Sequence, residues 1–150
     1  MIVGGTAVNV HGFHRLSSNL PKDLIYDFDI WYKPTIENFE NVKNALVEIQ
    51  PENKSIIEPI IFHPERAYIR ITEKPFKIEM LPNISGFERR QYSQVRQRAI
   101  SFKLNNYTAI VISYDDLILS KESLNREVDQ FDILELKKIK DQDRDQGQSL

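Results

Sequence analysis

The clearest indication of the fold class of this chain is the stretch Ile-Tyr-Asp-Phe-Asp-Ile-Trp-Tyr, residues 25–32. Apolar and aromatic residues alternate in it with acids, a pattern that is typical of a β-strand with one buried face. On such a strand Asp27 and Asp29 point to the same side, with Cβ atoms about 6.5–7 Å apart. Two carboxylates this close repel each other and favour a divalent cation such as Mg²⁺, which prefers oxygen ligands. The alternative is a half-exposed strand with its polar face in water, although Asp is disfavoured in strands.

The N-terminal segment has a second informative feature, the pair Gly4-Gly5 between a short strand and a helix. Met1–Val3 is predicted to be the end of a buried strand, and Thr6–His11 is predicted to be helical. Glycines let the backbone approach a phosphate group closely, and the first amides of the helix then point at it. A plain tight turn is the alternative. Because three residues make a short strand, we expect further chain to precede them.

The rest of the sequence predicts one domain over residues 1–140, of fold class α/β (α+β). The predicted helices are one capped by Thr35 that runs to Ile49, and then Gly86–Arg98, Ser113–Leu119 and Arg126–Lys140. The predicted strands are Ile56–Phe62, interrupted by Pro59, and the hairpins Ala67–Thr72 with Phe76–Leu81 and Ser101–Leu104 with Tyr107–Ile112. Residues 141–150 are polar and lack apolar anchors, which predicts a frayed, disordered tail.

A cluster of charged residues near the C-terminus comprises Asp115, Asp116, Lys121, Arg126, Asp129 and Asp132. A lysine and an arginine placed near a metal-bound triphosphate would neutralise its charge. The simpler interpretation is a solvated helix surface with salt-bridge partners.

A basic cluster precedes it, with Arg89, Arg90, Arg96, Arg98 and Lys103 opposed only by Glu88. Phe87 and Tyr92 add aromatic surface, so this region is a candidate for nucleic-acid binding. A solvated helix is the alternative here too.

The composition limits the classes of protein to consider. The chain has 150 residues, of which 41% are hydrophobic and 28% charged, and its formal net charge is −2. This balance is that of a folded domain and argues against a surface that is basic throughout. The absence of cysteine excludes disulfides, thiolate metal sites and cysteine nucleophiles. No apolar run approaches the roughly 20 residues of a membrane span, and the start lacks the basic region of a signal peptide. We therefore expect a cytoplasmic protein without a membrane partner.

Taken in order, four motifs resemble those of the polymerase-β-like nucleotidyltransferase superfamily. The resemblance is to its small bacterial members, the minimal nucleotidyltransferases and abortive-infection toxins. The motifs are the strand–Gly-Gly–helix segment at residues 3–8, Asp-Phe-Asp at 27–29, the segment 79–86 that begins with Glu79, and the pattern formed by Asp116, Leu117, Ile118, Lys121, Arg126, Asp129 and Asp132.

The resemblance implies a nucleotidyltransferase fold, a twisted mixed β-sheet flanked by helices, and transfer of a nucleoside monophosphate from an NTP to an acceptor hydroxyl. The implied cofactor is Mg²⁺ (or Mn²⁺), bound as two ions. The implied catalytic and metal-binding residues are Asp27, Asp29 and Glu79. The implied nucleotide-binding residues are Gly4, Gly5, Thr6, Arg15, Lys121 and Arg126.

The partners that the resemblance implies are the NTP, an acceptor that is a tRNA or a protein, and either a cognate antitoxin or a second copy of the chain. A toxin–antitoxin component is one version of this function. The rival hypothesis is a catalytically weakened nucleotide- or RNA-binding regulatory module with the same fold.

Overall fold

The computed structural model describes residues 1–14, 26–63, 67–73 and 76–147. Six α-helices lie in this part of the chain: α1 Gly4–Val10, α2 Ile36–Ile49, α3 Lys54–Ile57, α4 Tyr92–Arg98, α5 Tyr114–Leu124 and α6 Glu127–Gly147. The strands are β1 Tyr26–Trp31, β2 Ile69–Glu73, β3 Phe76–Leu81, β4 Ile100–Leu104 and β5 Tyr107–Val111. Short 3₁₀ turns at Pro51–Asn53 and Arg89–Gln91 precede α3 and α4.

The strands form a mixed arrangement in two groups. In the first group β3 is the central strand, parallel to β1 and antiparallel to β2. In the second group β4 and β5 are antiparallel. Residues 1–3 connect the two groups, because Ile2 forms a β-bridge with Ile30 of β1 on one side and with Val111 of β5 on the other. The predicted buried strand at Met1–Val3 is found only as these isolated bridges of Ile2, and Val3 is 3% exposed.

Each face of the sheet packs into its own hydrophobic cluster. Trp31 and Leu81 belong to the cluster that includes residues of α1, α5 and α6. On the opposite face, Ile30 and Met80 pack into a cluster with α2, α3 and β2. Because side chains alternate along a strand, residues two and four positions before Trp31 and Leu81 share the face of these residues. They therefore point away from α2.

Several predicted helix and turn signals are confirmed. Thr35 caps α2 by accepting a hydrogen bond from the backbone N–H of Asn38. Ser113 caps α5 in the same way through the N–H of Asp116, which leaves fewer unpaired amides at each helix start. The hairpin of β4 and β5 turns at Asn105, which has a positive φ of 52°. Asn tolerates this conformation better than most residues.

The prediction of a strand at Ile56–Phe62 is wrong. Lys54–Ile57 form the short helix α3 instead, and Ile57 is buried in the cluster beneath α2 while Ile56 is 67% exposed. A single turn of helix is enough to bury one apolar residue, and Pro59 cannot donate to a β-ladder.

Two other expected boundaries also differ. The helix expected over Gly86–Arg98 is confined to a 3₁₀ turn and α4. The last helix continues to Gly147, where we expected a frayed tail from Asp141. Lys140 bonds Asp115 at 3.1 Å and lies 4.0 Å from the ring centroid of Tyr114, which fixes this turn against α5. A helix already formed extends through polar residues without needing a buried face.

The architecture is thus mixed α+β, with small groups of strands and helices packed on them. No helix in the described ranges has both the length and the apolar character needed to cross a bilayer.

Candidate functional site

A cleft of about 700 Å³ is lined by residues of β1, β3 and the C-terminal helices. Its walls carry most of the residues predicted from the sequence. These are Gly4, Gly5, Asp27, Asp29, Glu79, Lys121 and Arg126. The cleft also includes two cations that were not predicted, Arg70 and Lys77.

The three acids converge because of strand register. Asp27 and Asp29 share one face of β1, and in the parallel pairing Asp29 lies opposite Glu79 of β3. The same pairing places Asp27 opposite Lys77. Asp27 keeps 47% of its side chain exposed, whereas Glu79 keeps only 13%. The three acids therefore lie on one side of the sheet, as predicted.

Asp29 is the acid whose charge is least compensated. Burial together with the negative charges of Asp27 and Glu79 raises the pKa of Asp29 to about 6. Lys77 and Arg126 oppose this increase through space. In the described chain, no lysine or arginine forms an ion pair with its carboxylate. The cleft thus contains a carboxylate that a bound cation would stabilise in its ionised form.

Lys77 lies between the other two acids. Its Nζ is 2.7 Å from Oδ2 of Asp27 and 3.0 Å from Oε1 of Glu79. The same Oε1 accepts from Arg70, whose Nη2 is 2.8 Å away. Burial disfavours the ionised form of Glu79, but hydrogen bonds from Lys77 and Tyr68 outweigh it and lower the pKa of this carboxyl.

Gly4 is required at the base of the cleft for two reasons. Its φ is +60°, a left-handed conformation that side chains rarely adopt. A Cβ at this position would also collide with the carboxylate of Asp29. The turn between residues 1–3 and α1 therefore brings backbone directly against the acid, as close approach to a ligand would require. Gly5 lines the cleft beside it.

Of the other two N-terminal candidates, Thr6 is not in the cleft lining. The Thr6 hydroxyl donates to the backbone carbonyl of Asp27 at 2.9 Å, which ties α1 to β1. This bond gives Thr6 a structural contact. Arg15 lies outside the described residues.

Lys121 and Arg126 belong to a network of charges at the junction of α5 and α6. The ammonium of Lys121, 4% exposed, lies 2.9 Å from Asp129 and 2.6 Å from Asp132, both fully buried. Arg126 pairs with Asp129 at 2.6 Å but keeps 62% of its side chain exposed. Burial opposes ionisation of Asp129, yet hydrogen bonds from Arg126 and Lys121 lower its pKa to about 2. Arg126 is thus the cation of this network that remains available to a ligand in the cleft.

The basic cluster is less concentrated than its sequence indicates. Arg98 makes two hydrogen bonds to Asp116, at 2.7 and 3.0 Å, and Arg90 pairs with Glu88 at 2.6 Å.

The expectation that Phe87 and Tyr92 offer a stacking surface for nucleic acid stays a prediction. Both rings pack against the buried Trp31, with centroids 5.7 and 5.2 Å from it, and are partly buried against its cluster. An aromatic side chain gains more from burial than from exposure to water.

The donor chemistry of the cleft fits Mg²⁺ or Mn²⁺, since all three candidate ligands are carboxylates. As arranged here, no three carboxylate or imidazole groups of the described residues lie close enough together to enclose a metal ion. The ammonium group of Lys77 occupies the position between Asp27 and Glu79 at which a shared metal ion would bind. Asp27 and Asp29 would hold the ion, and Glu79 would join them once Lys77 moves.

Sequence analysis did not predict Arg70 and Lys77 as residues of the site. Lys77 is two residues before Glu79 on the same strand, so its side of the sheet follows from alternation. Arg70 lies opposite Glu79 only because of the antiparallel register of β2 and β3, which the sequence does not specify.

Comparison with known proteins finds no match for this chain among family models, curated proteins or solved structures. What the site does is therefore inferred from its residues and their geometry.

Proposed function

We propose that the chain is a metal-dependent nucleotidyltransferase of the polymerase-β-like class, which transfers a nucleoside monophosphate from an NTP to an acceptor hydroxyl. One observation carries this proposal. Asp27 and Asp29 of β1 and Glu79 of the adjacent parallel strand face one cleft, next to a glycine turn and an exposed arginine. This is the set of groups that a metal-bound triphosphate needs.

Each residue has a role in the proposed reaction. Asp27 and Asp29 hold the divalent cation, which supplies charge neutralisation at the phosphates and acidifies the acceptor hydroxyl. Gly4 allows backbone to approach the triphosphate, and Arg126 binds its outer oxygens. Glu79 takes the proton of the acceptor hydroxyl or completes the metal site. The acceptor oxygen bonds to the α-phosphorus, the bond to the β-phosphate breaks, and pyrophosphate leaves.

The test is transfer of label from each of four α-³²P NTPs to total RNA or to protein, with Mg²⁺ present. We expect labelled product with the wild type and a loss of about 100-fold with Asp27→Asn and Asp29→Asn. Asp115→Asn is the matched control, because Asp115 is 87% exposed and outside the cleft. Label from γ-³²P NTPs in place of the α-labelled ones would indicate phosphoryl transfer and contradict the proposal.

Glu79 is tested separately. If its longer side chain is fitted to this backbone, Glu79→Asp and Glu79→Gln both lose transfer. A faster Asp variant would show that the native carboxylate overshoots by about the length of a methylene group, a displacement that Mg²⁺ geometry tolerates poorly. Equal rates with Gln and Glu would remove Glu79 from the catalytic set.

The second candidate function is a nucleotide-binding module that no longer turns over. The observation that favours it is the engagement of Glu79 by both Arg70 and Lys77. Mg²⁺-dependent NTP binding measured by calorimetry, without any transferred label, would support this candidate over the enzyme.

The partner in either case is proposed to be a cognate antitoxin or a second copy of the chain. Supporting this, Val128, Phe131 and Leu134 expose about half of each side chain on α6, at 43%, 53% and 52%. Exposed apolar rows of this kind are typical of protein contacts. Light scattering of the purified chain distinguishes self-association from a monomer that awaits another protein.

A further inference from the structure

We infer that Lys77 is an exchangeable counterion, which holds Asp27 and Glu79 in the absence of nucleotide and moves to the triphosphate when the divalent cation binds. This inference rests on the proposed function and adds to it a mechanism that couples metal binding to nucleotide binding. A free divalent cation binds weakly because Lys77 competes for its ligands. The cation and the triphosphate together bind well because Lys77 then has another anion to contact.

The first support is competition for the same two carboxylates. Lys77 Nζ lies 2.7 Å from an oxygen of Asp27 and 3.0 Å from an oxygen of Glu79. A divalent cation shared by these carboxylates would bind an oxygen of each at about 2.0–2.1 Å, next to the ammonium group. An ammonium and a divalent cation cannot both occupy positions this close, because like charges a few ångströms apart repel strongly in a partly buried site. Lys77 must therefore leave before Glu79 can bind metal.

The second support is that charge compensation in the cleft is uneven. Glu79 accepts from two cations, Lys77 and Arg70, through the same Oε1 atom. Asp29, its partner in the strand register, has none of these contacts. When Lys77 leaves, Glu79 remains paired with Arg70, and the incoming divalent cation replaces the charge of Lys77 beside Asp27.

The third support is that Lys77 lines the cleft in which the triphosphate is proposed to bind. Its side chain is 26% exposed and lines the same cleft as Gly4, Gly5 and Arg126, where the triphosphate is proposed to lie. A lysine has a flexible four-carbon stem and binds phosphate as a point charge, so it can change partners without movement of the backbone. Arg70, with a planar group held by both Tyr68 and Glu79, is less free to do so.

The test measures binding of Mn²⁺ alone, by the paramagnetic signal of the free ion, and of tripolyphosphate in the presence of Mn²⁺, by calorimetry. Tripolyphosphate is used because it needs no choice of base. For Lys77→Met we expect Mn²⁺ alone to bind at least ten times more tightly than in the wild type, and tripolyphosphate at least ten times more weakly. Lys77→Arg keeps the charge and is expected to lie near the wild type in both measurements. Lys54→Met is the control for loss of an exposed lysine elsewhere, since its side chain is 60% exposed.

Arg70→Met is the control for general loss of positive charge in the cleft. It is expected to change both affinities by less than threefold, since Arg70 does not exchange. Equal changes in Arg70→Met and Lys77→Met would overturn the inference. Tighter Mn²⁺ binding by Lys77→Met without weaker tripolyphosphate binding would also overturn it, because Lys77 would then be a static counterion.

A measurement on the wild type keeps the inference testable if Lys77→Met does not fold. The ¹⁵Nζ resonance of Lys77 is expected to shift when Mg²⁺ and tripolyphosphate are added together and to stay in place with either one alone. No shift with both present overturns the exchange. Failure of the proposed function is recognised separately, because then Mn²⁺ binds none of the variants and Asp27→Asn has no effect.

Discussion

Asp29 combines properties that make it the most sensitive residue of the cleft. It lies on the face of β1 that lines the cleft, is opposite Glu79 in the strand pair, and is packed against the backbone of Gly4. Burial and two neighbouring carboxylates raise its pKa to about 6 from an ordinary value of 3.8. A carboxyl group in this position destabilises the fold when ionised and is stabilised by any cation that binds next to it.

The first prediction concerns the pH dependence of stability at Asp29. Because the folded pKa is raised, the folded state binds more protons than the unfolded state between about pH 4 and pH 6. This contribution to the free energy of unfolding is present below pH 3.8 and is lost as the pH rises to about 6. Asp29→Asn has no carboxyl group to ionise, so this variant does not lose that stability as the pH rises. The melting temperature of Asp29→Asn should therefore exceed that of the wild type by a few degrees at pH 7, at roughly 2–4 °C per kcal/mol.

At pH 4 the two proteins should melt within about 1 °C of each other, since the native carboxyl is then mostly protonated. Asp115→Asn provides the control for loss of an exposed acid and should not show this divergence with pH. An Asp29→Asn variant with the same advantage at both pH values would contradict the assignment of the raised pKa.

The second prediction concerns Gly4. Gly4→Ala should lower the free energy of unfolding by about 1–3 kcal/mol, because it combines a positive φ with a Cβ that meets the Asp29 carboxylate. Gly5→Ala is the matched comparison. Gly5 lies inside α1 and alanine favours a helix by about 0.5–1 kcal/mol over glycine. Urea denaturation of both variants measures the difference, and equal stabilities would show that the left-handed turn is not strained by a side chain.

At the scale of elements, α5 and α6 are joined by charges and not only by apolar contacts. Lys121 of α5 reaches Asp129 and Asp132 of α6, and all three side chains are at most 4% exposed. An ion cluster with this burial gains little net stability over apolar residues, but breaking it leaves uncompensated charge in the interior. Arg126 lies between α5 and α6, and its position in the cleft therefore depends on Lys121.

The third prediction follows from this burial. Lys121→Met should reduce the free energy of unfolding by about 3–5 kcal/mol, because it removes the buried ammonium group that contacts both Asp129 and Asp132. Lys137→Met, which disrupts an exposed pair with Glu122 at 3.6 Å, should cost less than about 1 kcal/mol. Chemical denaturation gives both values. Adding Asp132→Asn to Lys121→Met should restore part of the loss, and strict additivity of the two changes would argue against a coupled cluster.

At the scale of the whole molecule, three residues hold the two groups of strands together. Val3 donates its backbone N–H to Asp29 of β1 at 2.9 Å, while Ile112, just after β5, donates to Ile2 at 3.0 Å. Residues 1–3 therefore act as a central strand, although they are few. The cleft and the core both depend on this connection, because Val3 is buried and precedes Gly4 directly.

The fourth prediction tests this connection with two proline substitutions. Val3→Pro removes the N–H that bonds Asp29 and requires a φ near −65° where the native φ is −135°. We expect a loss of about 2 kcal/mol or more in the free energy of unfolding. Ile36→Pro is the control, at the first residue of α2 after an extended Thr35, where proline is tolerated. Equal effects of the two prolines would indicate that residues 1–3 do not stabilise the sheet.

The features that could be predicted from the sequence are those that depend on neighbouring residues. The alternation around Asp27 and Asp29 placed both acids on one face, and the same alternation placed Lys77 and Glu79 together on β3. Thr35, Ser113 and Asn105 marked two helix starts and a turn, because capping and left-handed turns involve only a few adjacent residues. The α+β class follows from the same local patterns.

Which of these residues come into contact depends on tertiary packing. Lys121 and Arg126 look equivalent as charges in a helical pattern, yet packing of α5 on α6 buries the first and exposes the second. Phe87 packs on Trp31, a strand residue far away in sequence. Arg70 reaches Glu79 through the register of a hairpin. Contacts of this kind depend on free energies summed over the whole core, and a local pattern contains no information about them.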